Sequence, residues 1–186
     1  MQSPVETEVK IRVADLPATC SKIESLGYRI SQPREFEANT LYDTSSKALL
    51  ASGTLLRLRE TGGRYVITWK GRYQVGPHKS RPELETTLGS LETMASIFGH
   101  LGYEPVFRYE KYRREYRLAG QPGVITVDET PIGSFLELEG PGPWIDETAR
   151  QLGLTSADYV LESYVRLYLR DCEQRGLTAA NMVFAP

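Results

Sequence analysis

Apolar and charged side chains alternate with a period of two in several separate stretches of the chain. The first runs from Val5 to Val13, where Val5, Val9, Ile11 and Val13 share one face and Glu6, Glu8, Lys10 and Arg12 share the other. Successive side chains of a strand point to opposite faces, so the pattern predicts a strand with one apolar and one charged side. Thr54 to Arg59 and Tyr65 to Lys70 repeat it and, joined through Thr61-Gly62-Gly63, predict a hairpin. Further strands are predicted at Arg81 to Thr86, Val106 to Leu118, Val124 to Asp128 and Phe135 to Glu139, and extended chain near Thr40-Leu41-Tyr42. The count is about eight.

Helical spacing falls between and after these stretches. Asp15 is placed to cap a helix carrying Leu16, Ile23 and Leu26 and ending at Gly27. A short helix is predicted around Ser46 to Leu50, and longer ones over Leu91 to Leu101, Trp144 to Leu152 and Tyr159 to Arg175. Turns built on Gly and Pro fit antiparallel connections better than a regular βαβ alternation, which makes this an antiparallel α+β protein. Residues 1–186 read as one domain. Its last residues, 177–186, form a tail that docks on the domain, docks on a second copy in a homodimer, or hangs loose.

An ordinary half-solvated sheet explains any one charged strand face. Together the faces are more ordered than that. Lys and Arg come in pairs on some strands (Arg57 and Arg59, Lys111 and Arg113), and carboxylates on others (Glu6 and Glu8, Glu137 and Glu139). If the sheet curls with this side inward and helices over the apolar outside, it becomes a closed barrel with a charged lumen. Crowded cations need an anion between them, and crowded carboxylates need a cation. A polyphosphate carrying divalent metal meets both needs. Arg57, Arg59, Lys70, Arg81, Lys111 and Arg113 are then candidates to clamp phosphate oxygens. Glu6, Glu8, Asp128, Glu137 and Glu139 are candidates to hold Mg²⁺ or Mn²⁺.

Composition narrows the partners. With 40% apolar and 25% charged residues, the protein reads as soluble, and no apolar run approaches the length of a membrane span. Met1 to Glu6 lacks the pattern of a signal peptide, so the cytoplasm is expected. A net charge of -2 gives no basic surface for nucleic acid. Two histidines, His78 and His100, leave little material for a His-based zinc site. His78 is expected at the surface, His100 to cap or pack near a helix end, and Cys20 and Cys172 as free thiols. The aromatic series Tyr159, Tyr164 and Tyr168 reads as packing, and loop 71–79 as a cover for a tunnel mouth.

Glu6-Thr7-Glu8-Val9-Lys10 is a Glu-x-Glu-x-Lys motif on the first strand. With Leu56 to Arg59, Thr68 to Gly71, Arg81 to Glu85, Lys111 to Arg113, Val127-Asp128, Gly133 to Glu139 and Ser163-Tyr164 following in order, the chain resembles the CYTH family of triphosphate tunnel enzymes along essentially its whole length. The resemblance implies an eight-stranded antiparallel tunnel that binds a linear triphosphate with Mg²⁺ or Mn²⁺. It assigns Glu6, Glu8, Asp128, Glu137 and Glu139 to metal, and Lys10, Arg57, Arg59, Lys70, Lys111 and Arg113 to phosphate. Glu83 and Glu85 are either further ligands or partners of the basic side chains. Lys10, Glu6 and Glu8 are the candidate catalytic residues. The substrate it implies is a small triphosphate: inorganic triphosphate, thiamine triphosphate or ATP. Hydrolysis is the first expectation and cyclisation of ATP the alternative. A noncatalytic sensor is a third reading, and hydrolysis of RNA ends a fourth.

Overall fold

The computed structural model describes residues 4–74 and 76–185. Met1 to Ser3, on which the leader reading partly rests, lie outside the described residues, as do one position of loop 71–79 and the last residue of the tail. Eight antiparallel strands are present: β1 (Val5–Val13), β2 (Arg29–Thr44), β3 (Leu55–Thr61), β4 (Arg64–Lys70), β5 (Lys79–Leu88), β6 (Tyr103–Arg117), β7 (Val124–Thr130) and β8 (Gly133–Glu139). They close into a barrel in the order β1-β5-β4-β3-β2-β6-β7-β8, so every strand has a neighbour on both sides. The helices are α1 (Leu16–Ser25), α2 (Ala48–Ser52), α3 (Leu91–His100), α4 (Gly142–Leu152) and α5 (Tyr164–Gln174).

Local chemistry sets the boundaries. Asp15 Oδ1 accepts the Ala18 N–H at 2.9 Å and starts α1, and Ser90 Oγ does the same for Thr93 at the start of α3. Gly62 and Gly63, with φ of +51° and +72°, form the two-residue turn that pairs Thr61 with Arg64 across the β3–β4 hairpin. Two sequence expectations need correction. β2 is sixteen residues long, where only Thr40 to Tyr42 stood out, because its register slips between Ile30 and Glu35 and breaks the alternation. The last helix begins at Tyr164, since Val160 pairs with Lys10 of β1 and draws that segment into extended structure.

The barrel is inverted. Val9, Ile11, Ile125, Val127, Leu136 and Leu138 point outward and are buried under Ile23 of α1 and Trp144, Ile145 and Ala149 of α4. A second outer cluster places Leu58 and Tyr42 under Phe98 of α3. Gly123 and Gly140 are needed where they are, because a Cβ on Gly123 would sit 2.3 Å from the Trp144 ring, and one on Gly140 would sit 2.9 Å from it. The third cluster is different. Leu41, Tyr109 and Phe135 have the parity of the inward-facing charged residues on their strands, and meet Tyr164 and Leu167 of α5 and Met182 of the tail. They close one end of the barrel and give it a floor.

Candidate functional site

All eight strands send polar side chains inward, and cross-strand register decides which ones meet. Glu8 of β1 lies opposite Lys79 of β5 on one side and Glu139 of β8 on the other, while Lys10 lies opposite Glu137. Glu37 of β2 faces Lys111 of β6, which also reaches Asp128 of β7. Arg57 of β3 faces Thr68 of β4, which faces Glu85 of β5. The cavity they line has a volume of about 340 Å³, and nine cationic and seven carboxylate side chains line it. Of the sequence candidates, Glu6, Glu8, Lys10, Arg57, Arg59, Lys70, Arg81, Lys111, Arg113, Glu137 and Glu139 all line this one space.

The carboxylates are gripped by ammonium groups. Lys10 Nζ bonds Glu8 and Glu137, each at 2.9 Å; Lys79 also bonds Glu8; Lys70 bonds Glu6 at 2.7 Å and Glu83 at 2.9 Å. Burial alone would raise the Glu8 carboxyl, but Lys10, Lys79 and Lys70 outweigh it and hold it well below the usual carboxylate range. Glu137 is likewise held low by Lys10 and Arg113 against its burial, and Glu37 falls to about 2 through Lys111 and Arg113.

Balance fails at two places. Arg59 is half-buried beside Arg57 and Arg113, and both desolvation and those cations depress its pKa despite its ion pairs with Glu85 at 2.9 Å and Glu37 at 3.5 Å. Among the described residues, the Nε atoms of Arg57, Arg59 and Arg81 are buried with no hydrogen-bond partner. Unmet donors in a cationic wall call for an acceptor-rich anion. At the other end Glu139 is pushed up to about 7, by burial first and then by Glu6 and Glu8. Excess carboxylate, with oxygen as the only ligand type, fits a hard divalent cation such as Mg²⁺ or Mn²⁺. Glu6, Glu8, Glu137 and Glu139 are the residues present to hold it. Among the described residues, no three acidic, His or Cys side chains converge on one point as they stand, since lysines occupy the carboxylate oxygens.

That arrangement predicts coupled binding. Phosphate oxygens that drew Lys10, Lys70 and Lys79 away would free Glu6 and Glu8 for a metal, and a metal would in turn release the lysines. Calorimetric titration with Mn²⁺ is expected to give an affinity at least about tenfold higher with a nonhydrolysable triphosphate present, a coupling of roughly 1.4 kcal/mol. Equal affinity with and without it would refute the coupling.

Asp128 stands apart from the other carboxylates. It is fully buried behind the wall, with Oδ1 accepting from Arg113 at 2.7 Å and Oδ2 accepting from Lys111 at 2.9 Å and from the Tyr164 hydroxyl at 2.7 Å. The sequence reading missed Glu37, Lys79, Tyr109 and Tyr164 as parts of the site. Lys79 shares the inward parity of Arg81 and was open to the same argument. Glu37 was hidden by the slips in β2, and Tyr164 by a helical spacing that reads as packing. Its ring lies 5.1 Å from Lys10 Nζ and 5.5 Å from Lys111 Nζ, so it faces the two cations as well as the floor. His78 is half-buried at the surface: its Nε2 bonds Asp146 Oδ1 at 2.8 Å, and Tyr159 shares that oxygen. His100, at the end of α3, is exposed.

A second hollow of about 310 Å³ joins the tunnel at Glu6, Arg117, Val124 and Glu139. Val5, Pro122 and Pro141 add apolar wall, and among the described residues the hydroxyl that lines it, on Thr7, is bonded to Ser80 at 2.9 Å.

Comparison with known proteins agrees with this geometry. The CYTH domain model matches residues 5–164. The adenylate cyclase candidate MJ0240 of Methanocaldococcus jannaschii is 27% identical over 135 residues, 73% of this chain and 76% of that protein. Adenylate cyclase CyaB of Aeromonas hydrophila is 28% identical over 184 residues, 93% of this chain and 91% of that protein. Among solved structures, HpAC1 of Hippeastrum, an adenylyl cyclase candidate described with a dominant triphosphatase activity, superposes with a TM-score of 0.62 at 16% identity, covering 94% of this chain and 97% of that one. No helix among the described residues is long and apolar enough to cross a membrane.

Proposed function

Because this chain belongs to the CYTH family, we propose that its barrel binds a linear triphosphate and hydrolyses it with the help of divalent metal. The observation that carries this reading is the crowding of Arg57, Arg59 and Arg81 around one cavity: Glu85, Glu37 and Glu6 pair with their charges, yet among the described residues their Nε atoms keep no hydrogen-bond partner, and the same cavity holds Glu139, whose carboxyl is pushed up to about 7. A pure anion sensor gains nothing from Glu6, Glu8, Glu137 and Glu139, because each weakens the field felt by phosphate. These four are the residues proposed to hold Mg²⁺ or Mn²⁺. A divalent cation there supplies Lewis-acid polarisation of a phosphoryl oxygen and lowers the pKa of water.

The chain's own groups do the rest. Arg57, Arg59 and Arg113 present planar donors to nonbridging oxygens, and Lys70, Lys79, Arg81 and Lys111 add further positive charge along the tunnel. Fixing the chain of phosphates in a narrow barrel presets the in-line geometry that phosphoryl transfer needs. Burial disfavours the charged form of Lys10, but Glu137 and Glu8 outweigh it and raise its pKa, so Lys10 stays protonated and meets developing negative charge as a fixed cation.

Cyclisation of ATP is the second reading, favoured by the names of the two sequence relatives and by room for an organic group in the second hollow. Hydrolysis ranks first because, among the described residues, the hydroxyl that lines that hollow, on Thr7, is already bonded to Ser80. Incubation with tripolyphosphate or ATP and Mg²⁺ or Mn²⁺, followed by chromatographic separation of products, decides between them. Released orthophosphate is expected. Cyclic AMP with pyrophosphate would overturn hydrolysis, and tight binding without turnover would overturn both.

A further inference from the structure

The family match ends at residue 164, yet the chain returns to the barrel well beyond it. β7 pairs with β6 only from Tyr112 to Tyr116, which leaves the backbone of residues 108–110 unpaired on that side. The tail fills this gap. Met182 N–H donates to the Arg108 carbonyl at 3.0 Å, Glu110 N–H donates to the Met182 carbonyl at 2.9 Å, and Tyr109 and Met182 form a parallel bridge. Asn181 Oδ1 accepts the Arg108 N–H at 2.8 Å, and the Tyr168 hydroxyl donates to the Asn181 carbonyl at 3.1 Å. Strand alternation then turns the side chain of Met182 inward, where it is completely buried in one cluster with Leu41, Tyr109, Phe135, Tyr164 and Leu167.

Two members of that cluster have a second face in the tunnel. The Tyr109 hydroxyl accepts from Arg57 Nη1 at 3.2 Å, and the Tyr164 hydroxyl donates to Asp128, which also orients Lys111 and Arg113. We infer that residues 180–184 are a strap that completes the tunnel floor. Met182 is its positioning residue: by filling the space in the Tyr109 and Tyr164 cluster it fixes the cations those tyrosines hold. The inference rests on the triphosphate reading for its effect on substrate, but not for its effect on Arg57.

The test uses the full chain with Met182→Ala and the volume-keeping Met182→Leu. Two signals are read: calorimetric affinity for tripolyphosphate with Mg²⁺, and hydrogen-exchange protection of the Arg57 guanidinium in ¹⁵N-arginine-labelled protein. Met182→Ala is expected to weaken tripolyphosphate binding about tenfold, with KM rising more than kcat falls, and to lose Arg57 protection, while Met182→Leu restores both. If Met182→Ala does not fold, Asn181→Ala, which loosens the strap and leaves the buried side chain, is expected to shift both signals in the same direction. Unchanged Arg57 protection in a folded Met182→Ala or Asn181→Ala protein would overturn the inference, because a merely structural tail lowers the melting temperature alone. Failure of the unmodified protein to bind tripolyphosphate would defeat the proposed function instead, and the Arg57 signal would still judge the strap.

Discussion

Glu8→Gln is expected to reduce turnover of tripolyphosphate about a thousandfold or more while the protein remains folded. Glu8 accepts from both Lys10 and Lys79 and lies opposite Glu139, so it joins the basic ladder to the surplus carboxylates. The amide keeps the shape and one acceptor but removes the charge proposed to hold metal. It also leaves Lys79 without its carboxylate, whereas Lys10 keeps Glu137 at 2.9 Å. The fold should survive because the main apolar cluster, from Val9 and Ile11 to Trp144 and Ile145, lies on the outside of the barrel, away from the lumen. Steady-state kinetics with a circular dichroism melt reads both quantities. Activity within tenfold of the unmodified protein would sink the assignment of Glu8 to the reaction.

Asp128→Asn is expected to cause the largest loss of stability among the lumen substitutions, about 3–5 kcal/mol, seen as a fall in melting temperature of roughly 10 °C. The site is fully buried, and one carboxylate satisfies Lys111, Arg113 and the Tyr164 hydroxyl together. An amide offers one acceptor where three donors converge, and turns an NH₂ group toward a cation. Tyr164→Phe removes a single donor and is expected to cost only about 1–2 kcal/mol. Because both residues belong to one network, the double variant should lose less than the sum of the two. Thermal denaturation of the four proteins measures this. A mild loss for Asp128→Asn, with metal affinity falling instead, would return Asp128 to the ligand set suggested by sequence.

The difference over Asp128 shows where sequence reading stops. Val127-Asp128 has the alternation of a strand with its carboxylate inward, and that direction is correct. Whether an inward carboxylate reaches the cavity or lies behind other side chains depends on what the neighbouring strand brings opposite it. Arg113 is its register partner on β6, and the pair closes over Asp128 and removes it from the lining. Lys79 was legible by the same parity that exposed Arg81, whereas Glu37 lay in a strand whose slips erase the period. The tail gave no periodic signal, and its role follows from an unpaired stretch of β6 that only the closed barrel reveals.

By itself the sequence determined the charged and apolar faces of most strands, the antiparallel α+β class and eleven of the inward side chains that line the cavity, because parity along a strand is a local property of the backbone, while closure of the barrel was implied by the family resemblance. Only the tertiary structure decided which charges meet, which donors stay unmet, and that α5 and the tail make the floor. Those outcomes depend on register between strands far apart in the chain, where a shift of one residue exchanges every partner.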